Sequence, residues 1–356
     1  MPSLPKPDVL QLIRSSCREV VAQHSAHVSV SETAVADLVT SLPWEDVAAS
    51  VHGTVFPMRF DDVQSEVTFL ALYHLLDFGS GYNHVLQQRN LRDAHETIQF
   101  GCIGMRLGTD RMDHHWMKAF SNYSVHNFFG IDCMDEHELS PGISISKPGI
   151  LHPLTRSLRA VVNATGAALE ALSQRSLGQN IEEHLEGQCA DGRTPSAAAL
   201  ITHLAQQFSG FEDVESYEGV QVTFMRKAQA LVLDLHARFA SRDPRFAFSD
   251  IHALTGDSGS LLPAILRTMG ILTYSPELGA AVDAATAGVE LPAGPHELAL
   301  RAAAVTAVDT LARASAAAGH LVSASQLSCF LLAQAESGGP LCGKVVRHLT
   351  RTGVAY

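Results

Sequence analysis

Apolar residues recur along this chain at helical spacing and hardly ever alternate. Phe224, Ala228, Leu231, Leu235 and Phe239 fall three or four positions apart, which gives 223–240 one apolar face and makes it an amphipathic helix. The same period runs through Ala- and Leu-rich stretches at 154–186, 196–208, 297–318 and 323–336, and shorter helical patterns cover 7–40, 260–270 and 341–350. Asp62 is a good N-cap for a helix through Val67, Leu70, Ala71, His74 and Leu75, and Gly79 is placed to stop it. Pro43-Trp44 marks a turn, 187–195 a loop, and 52–61, punctuated by Gly53 and Pro57, an extended or irregular stretch. The period-2 alternation of half-buried strands is scarce. The expected fold is mainly α, one large helical domain over 1–356 with a short hairpin or small sheet, residues 1–44 forming an N-terminal helical segment.

Composition narrows the function classes. A chain of 356 residues, 46% hydrophobic and 17% charged, has the balance of a globular protein with a large core. There is no apolar run long enough to span a bilayer and no apolar segment at the N-terminus of the kind a secretory signal needs, so no membrane partner is expected. A net charge of −12 argues against direct nucleic-acid binding, which needs a basic face to neutralise phosphates. It leaves room for a single nucleotide. The six cysteines, at 17, 102, 133, 189, 329 and 342, contain no Cys-x-x-Cys pair and read as reduced thiols of a cytoplasmic protein.

Eighteen histidines raise the question of a metal. No two are four apart, and no Glu lies three residues before a His, so the His-x-x-x-His and Glu-x-x-His ligand pairs are missing. Asp113-His114-His115 resembles the Asp-His-His of certain phosphoesterases, but neighbouring side chains on a helix diverge by about 100°. No metal or cofactor is expected. Nor is there a Gly-x-Ser-x-Gly elbow for a serine nucleophile.

The most informative segment lies at 211–229, with Phe248, Asp250, His252 and Asp257 downstream. An Asp near an aromatic can stabilise positive charge developing on the sugar of a flat ligand, which suits glycoside cleavage. Ser249 and Asp250 are equally good helix caps, and Gly256-Asp257-Ser258-Gly259 is equally good loop material. Arg226 and Lys227, at a helix start, are either solvated charges or phosphate ligands.

The run Phe211-x-Asp213…Tyr217-x-Gly219-x-x-Val222-x-Phe224-x-Arg226-Lys227-Ala228-Gln229 resembles the signature of the queuosine salvage protein family. Phe248-x-Asp250-Ile251, Leu254-Thr255, Pro263 and Gly270-Ile271-Leu272-Thr273-Tyr274-Ser275 follow in the family's order, and the likeness extends over most of 45–356. The resemblance implies hydrolysis of queuosine 5′-phosphate, or a related modified nucleoside 5′-monophosphate, with release of the free base. It also implies an architecture like helix-hairpin-helix DNA glycosylases. By the same route the catalytic acid is Asp250, with Asp257 second. His52 and Phe248 meet the base, Arg226 and Lys227 the phosphate, and Ser328 and Cys329 line the base pocket. The chain departs from the family pattern in three places. Gly259 takes the register of a family Asp, in the run Asp257-Ser258-Gly259-Ser260-Leu261-Leu262. Ser328 and Leu332 replace an Asp and a Trp. Asp77 replaces an Asn. Two other classes fit the same residues: a non-catalytic binder of a nucleobase or nucleotide, favoured by the altered 257–262, and a metal-dependent phosphohydrolase built on Asp113-His114-His115. Oligomeric state is not legible.

Overall fold

The computed structural model describes residues 8–356 except 51, 52, 54, 55, 110, 218, 337 and 352. Among the described residues there are sixteen α-helices and three two-stranded antiparallel sheets. The mainly helical expectation holds, and the small-sheet component takes the form of three separate pairs.

Local chemistry starts most of the helices. Asp8, Ser31, Asp62, Ser176, Ser196 and Ser275 each accept a hydrogen bond from a backbone N–H in the first turn of the helix that follows. Asp93 with Glu96, and Ser323 with Gln326, form full capping boxes. The helix Val63–Leu76 starts at Asp62 as its sequence implies, and every residue from Glu66 to Leu76 is buried. A helix buried all round belongs at the centre of a fold. It packs against Leu177–Cys189, Arg226–Phe239 and Ala94–Gly108. A second central element, Pro295–Ala317, packs against Val9–Gln23 and Glu32–Ser41. The buried residues of these elements form a contiguous apolar cluster from Leu10 to Leu331. No described helix is long and apolar enough to cross a membrane.

Several boundaries differ from the periodic reading, each for an identifiable reason. Residues 7–40 contain a strand, Val28–Val30, paired with Leu272–Tyr274. Partners so far apart leave no local signal. The stretch 154–186 is two helices, His152–Ala171 and Leu177–Cys189, broken at Ser173, whose φ is +57°. The hairpin Met134–Ser140/Ile143–Pro148 is exposed on nearly all its residues and so carries no alternation to read.

The segment 341–350 is not helical. Its backbone is satisfied instead by tertiary partners. Leu291 N–H donates to Leu349 O at 2.8 Å, and the Thr350 hydroxyl returns a 2.8 Å bond to Leu291 O. The chain end then crosses the loop after Leu76, with Gly79 N–H donating to Tyr356 O at 3.0 Å. A Cβ at Gly81 would stand 2.1 Å from Thr350 O, so only glycine permits this crossing. Gly81→Ala is therefore expected to destabilise the protein by about 1–3 kcal/mol, the usual cost of forcing an extra group into packed backbone. Urea unfolding checks it, and an unchanged midpoint would show that the strap yields freely.

Candidate active site

Arg226 is the first residue of the helix Arg226–Phe239, directly after Met225, which adopts a left-handed φ of +54°. That placement sends its guanidinium between two acids. Nε donates to Asp257 Oδ2 at 2.9 Å, Nη2 to Asp77 Oδ2 at 2.8 Å and Nη1 to the Asp77 carbonyl at 3.0 Å. Asp77 comes from the end of the buried central helix and Asp257 from the loop before Leu261–Thr268. All three side chains are largely buried. Burial works against the Arg226 charge, but the two carboxylates outweigh it and hold its pKa above the ordinary value. Burial would likewise raise the pKa of Asp77. Arg226 and His95 together reverse that and hold it well below the usual range.

His95 completes this chain of contacts. Its Nδ1 lies 3.2 Å from Asp77 Oδ1 and its Nε2 3.3 Å from the Tyr73 hydroxyl. The hydrogen bond to Asp77, ahead of the opposing effect of burial, raises the His95 pKa. Stabilisation from a raised histidine is complete below its unfolded pKa of about 6.5 and is lost as pH rises through the folded value. Stabilisation from the depressed Asp77 is complete above about 3.9 and is lost as pH falls through its folded value. The pair is therefore intact between those limits. An NMR titration is expected to place the His95 midpoint above 6.5, the ordinary histidine value, and Asp77→Asn should bring it down. A midpoint indifferent to that substitution would remove Asp77 as the cause.

Asp257 lines a cleft together with Arg226, Gln229, Ala230, Leu233, Leu254, Thr255, Gly256, Ser325, Ser328, Cys329 and Leu332. Its Oδ1 accepts from Gly259 N–H at 2.7 Å, and its own N–H donates to Ser328 Oγ at 3.0 Å. A Cβ at position 259 would lie 2.9 Å from Asp257 Oδ1 and 3.1 Å from Arg226 Nε. The Asp257 carboxylate thus occupies the space that a side chain at 259 would fill. The polar wall is rigid: Gln229 bonds Phe224 O and the Thr255 hydroxyl, each at 2.9 Å, and its Oε1 accepts from Thr255 N–H at 2.9 Å. Burial, with Asp257 adding to it, pushes the Cys329 thiol up to about 12. The opposite wall is apolar, from Ala230, Leu233, Leu254 and Leu332.

Asp257, Arg226, Ser328 and Cys329 are therefore brought together as their sequence positions suggest. The other expected residues go elsewhere. Asp250 receives Ser196 Oγ at 2.8 Å, Ala197 N–H at 2.6 Å and Ala198 N–H at 3.1 Å. Its carboxylate caps the helix Ala197–Gln207, 53 positions from Ala197, and is not among the residues lining the cleft. Phe248 is buried beside the His236 ring, with centroids 6.1 Å apart, and does not line the cleft either. Lys227 points into the core, where Nζ donates to Leu75 O at 3.1 Å and sits 5.1 Å from the Phe78 ring centroid. Burial pushes its ammonium down to about 7. Lys227 is not among the residues lining the cleft, and Arg226, balanced by two carboxylates, does not present a free positive charge. His52 lies outside the described residues.

Three participants carried no sequence signal. Asp77 was visible only as a departure from a family residue. His95 has no motif. Arg347 lies in the segment misread as helix. Its Nε is buried without a hydrogen-bond partner, and it stands within electrostatic reach of Asp93, Arg226, Asp257 and Asp77. Burial lowers its pKa. Asp113 is spent as an N-cap, accepting from Trp116 N–H at 3.0 Å. The His114 and His115 rings lie 4.1 Å apart at 40° and bring one ligand atom each within 4.8 Å of Glu170, so the two histidines converge with Glu170 while Asp113 caps the helix.

Comparison with known proteins points to one family. The family model described as queuosine salvage protein matches residues 150–352. A protein of Sphaerobacter thermophilus named queuosine 5′-phosphate N-glycosylase/hydrolase is 31% identical over 249 residues, 67% of this chain and 74% of that one. Proteins of the same name from Dictyostelium discoideum and Bos taurus are 31% and 28% identical over 38% and 35% of this chain, covering 43% and 34% of their own lengths.

Proposed function

The chain belongs to the queuosine salvage protein family, and we propose that it hydrolyses the N-glycosidic bond of queuosine 5′-phosphate or a closely related nucleoside 5′-monophosphate. The observation that carries this reading is the Asp257 carboxylate, held in the cleft by Arg226 and Gly259 N–H. Glycoside cleavage asks for negative charge beside a sugar ring that becomes positive, and for little else that must move. A carboxylate clamped at both oxygens is preorganised for that task. The flat base fits between the apolar wall and the polar edge of Gln229, Thr255, Ser328 and Cys329. Ser328 offers a hydroxyl where a carboxylate would pair with a cationic base, so the pocket is expected to favour a neutral base more than a relative with an acid there.

The phosphate needs a cation that is not already balanced. Arg347 fits this better than Arg226 or Lys227, because its Nε–H is buried and unspent. A charge-assisted hydrogen bond contributes about 1.5–3 kcal/mol. Arg347→Gln is therefore expected to raise KM for the 5′-phosphate by roughly 10–100-fold, at about 1.4 kcal/mol per decade. The corresponding dephosphorylated nucleoside should be little affected. The assay is release of free base from each substrate, and an equal loss on both would take the phosphate away from Arg347.

Asp257 Oδ1 lies 2.9 Å from where a Cβ at 259 would stand, which supports catalysis over a non-catalytic binder. The charge balance and the six cysteines, all unpaired in the structure, support a small-molecule partner and a reducing, cytoplasmic setting.

A further inference from the structure

Away from the cleft, three histidines from distant parts of the chain converge. His24 caps the C-terminus of the helix Val9–Gln23, His27 immediately precedes the strand Val28–Val30, and His296 lies in the first turn of Pro295–Ala317. The ring centroids of His24 and His27 are 4.6 Å apart, those of His24 and His296 5.2 Å, and those of His27 and His296 5.0 Å. One ring nitrogen from each lies within 4.8 Å of those of the other two.

Three details of this cluster have the character of a ligand set. His24 Nε2 and His296 Nδ1 are 3.1 Å apart, and two imidazole nitrogens on one tetrahedral ion at the usual bond length are separated by about 3.3 Å. His27 Nδ1 is buried with no hydrogen-bond partner, an uncommon state for a polar atom. The buried Tyr217 hydroxyl hydrogen-bonds His24 Nδ1. An outer oxygen of this kind fixes the ring and its tautomer, leaving Nε2 for a metal. None of the residues lining the cleft belongs to the cluster.

We propose that His24, His27 and His296 bind one divalent late first-row ion of the zinc type, with a water in the fourth position. Three imidazoles suit zinc, nickel or copper better than calcium or magnesium, which prefer oxygen. On binding, the proton shared between His24 Nε2 and His296 Nδ1 passes to solvent while His296 takes one up at Nε2, a net tautomeric shift that frees both facing nitrogens. His24 keeps its proton on Nδ1, directed at the Tyr217 oxygen, and His296 carries its own on Nε2. The ion joins the first helix, the Val28–Val30 strand and the start of Pro295–Ala317, which are brought together from opposite ends of the chain. Spacing along the sequence brings only His24 and His27 together, since His296 is 272 positions from His24.

The test uses the full chain, stripped with a chelator and titrated with cobalt(II) or zinc alone. The expected result is saturation at one equivalent, a tetrahedral cobalt spectrum, and a melting temperature that rises with zinc. Tyr217→Phe should weaken cobalt binding by about 10–100-fold, as loss of an outer-shell partner does. His27→Gln and His296→Gln should abolish the tetrahedral spectrum while leaving the circular dichroism and base release unchanged. Absence of saturable uptake in the unmodified chain would overturn the proposal without any variant having to fold. Uptake that survives both glutamine substitutions would also overturn it, placing the ion elsewhere, for example at His114, His115 and Glu170.

Discussion

Asp257→Asn is expected to reduce kcat for base release by about 10²–10³-fold, the loss that follows removal of one preorganised electrostatic group at a transition state. The fold should survive. The amide keeps the shape and still accepts from Gly259 N–H, and Arg226 retains Asp77 as a partner. Asp250→Ala should behave in the opposite way. It removes the acceptor for Ser196 Oγ and two backbone N–H groups, so about 1–2 kcal/mol of stability is expected to go while kcat stays near its starting value. Measuring both variants by turnover and by thermal unfolding separates the two acids cleanly. Loss of turnover in Asp250→Ala with retention in Asp257→Asn would reverse the assignment.

Gly259 provides a sharper version of the same experiment. A methyl at 259 would press on the Asp257 carboxylate and on Arg226 Nε, so Gly259→Ala should lower kcat without removing a charge. The double variant Asp257→Ala/Gly259→Asp carries its acid from the neighbouring position into the same space. Partial recovery of turnover relative to Asp257→Ala is expected, and no recovery would mean that the position of the carboxylate is not what matters.

Arg301→Met is expected to have the largest effect on stability. Arg301 and Asp213 are both buried, with Nη2 at 2.8 and 2.7 Å from the two carboxylate oxygens, and Arg301 Nε holds Ser258 O at 2.8 Å. The guanidinium also lies 3.9 Å from the Phe224 ring centroid. Removing one member of such a pair strands the other charge away from water, which costs about 3–5 kcal/mol. Because Ser258 follows Asp257, the loop that carries Asp257 should loosen at the same time. Replacing both members, as Arg301→Met/Asp213→Leu, should restore part of the stability, since it removes the Asp213 charge and leaves Glu297, 3.7 Å from Arg301 Nε, as the buried carboxylate without its cation. Denaturant unfolding of the two variants provides the check, and a double variant no better than the single one would show that packing on Phe224, and not charge, dominates.

How far the site could be read from the sequence depended on the range of the interaction involved. Of the cleft positions, Arg226 sits inside an ordered motif, whereas Asp257, Ser328 and Cys329 lie in runs that depart from the family pattern and were picked out by their register beside it. The roles of the charged residues were not legible, because a role depends on what surrounds the side chain after folding. Lys227 looks like a phosphate ligand beside Arg226, yet one residue further round the helix it faces Leu75 and Phe78 in the core. Asp250 reads in the sequence as a catalytic acid or a cap of its own helix, and the structure shows it capping a helix that starts 53 positions upstream. Arg347 was invisible because an irregular strap has no period to detect.

The sequence by itself determined the helices, through a hydrophobic period of three to four residues and short-range caps such as Asp62, Asp93 and Ser323. It also determined the family, through the order and spacing of motifs between Phe211 and Ser275. Only the tertiary structure decided which carboxylate stands in the cleft and which cation remains unspent. It likewise decided that three histidines share one corner of the molecule. Periodicity and capping act within a few residues along the chain, whereas charge balance and ligand geometry are set by groups that meet only when helices far apart in sequence pack together.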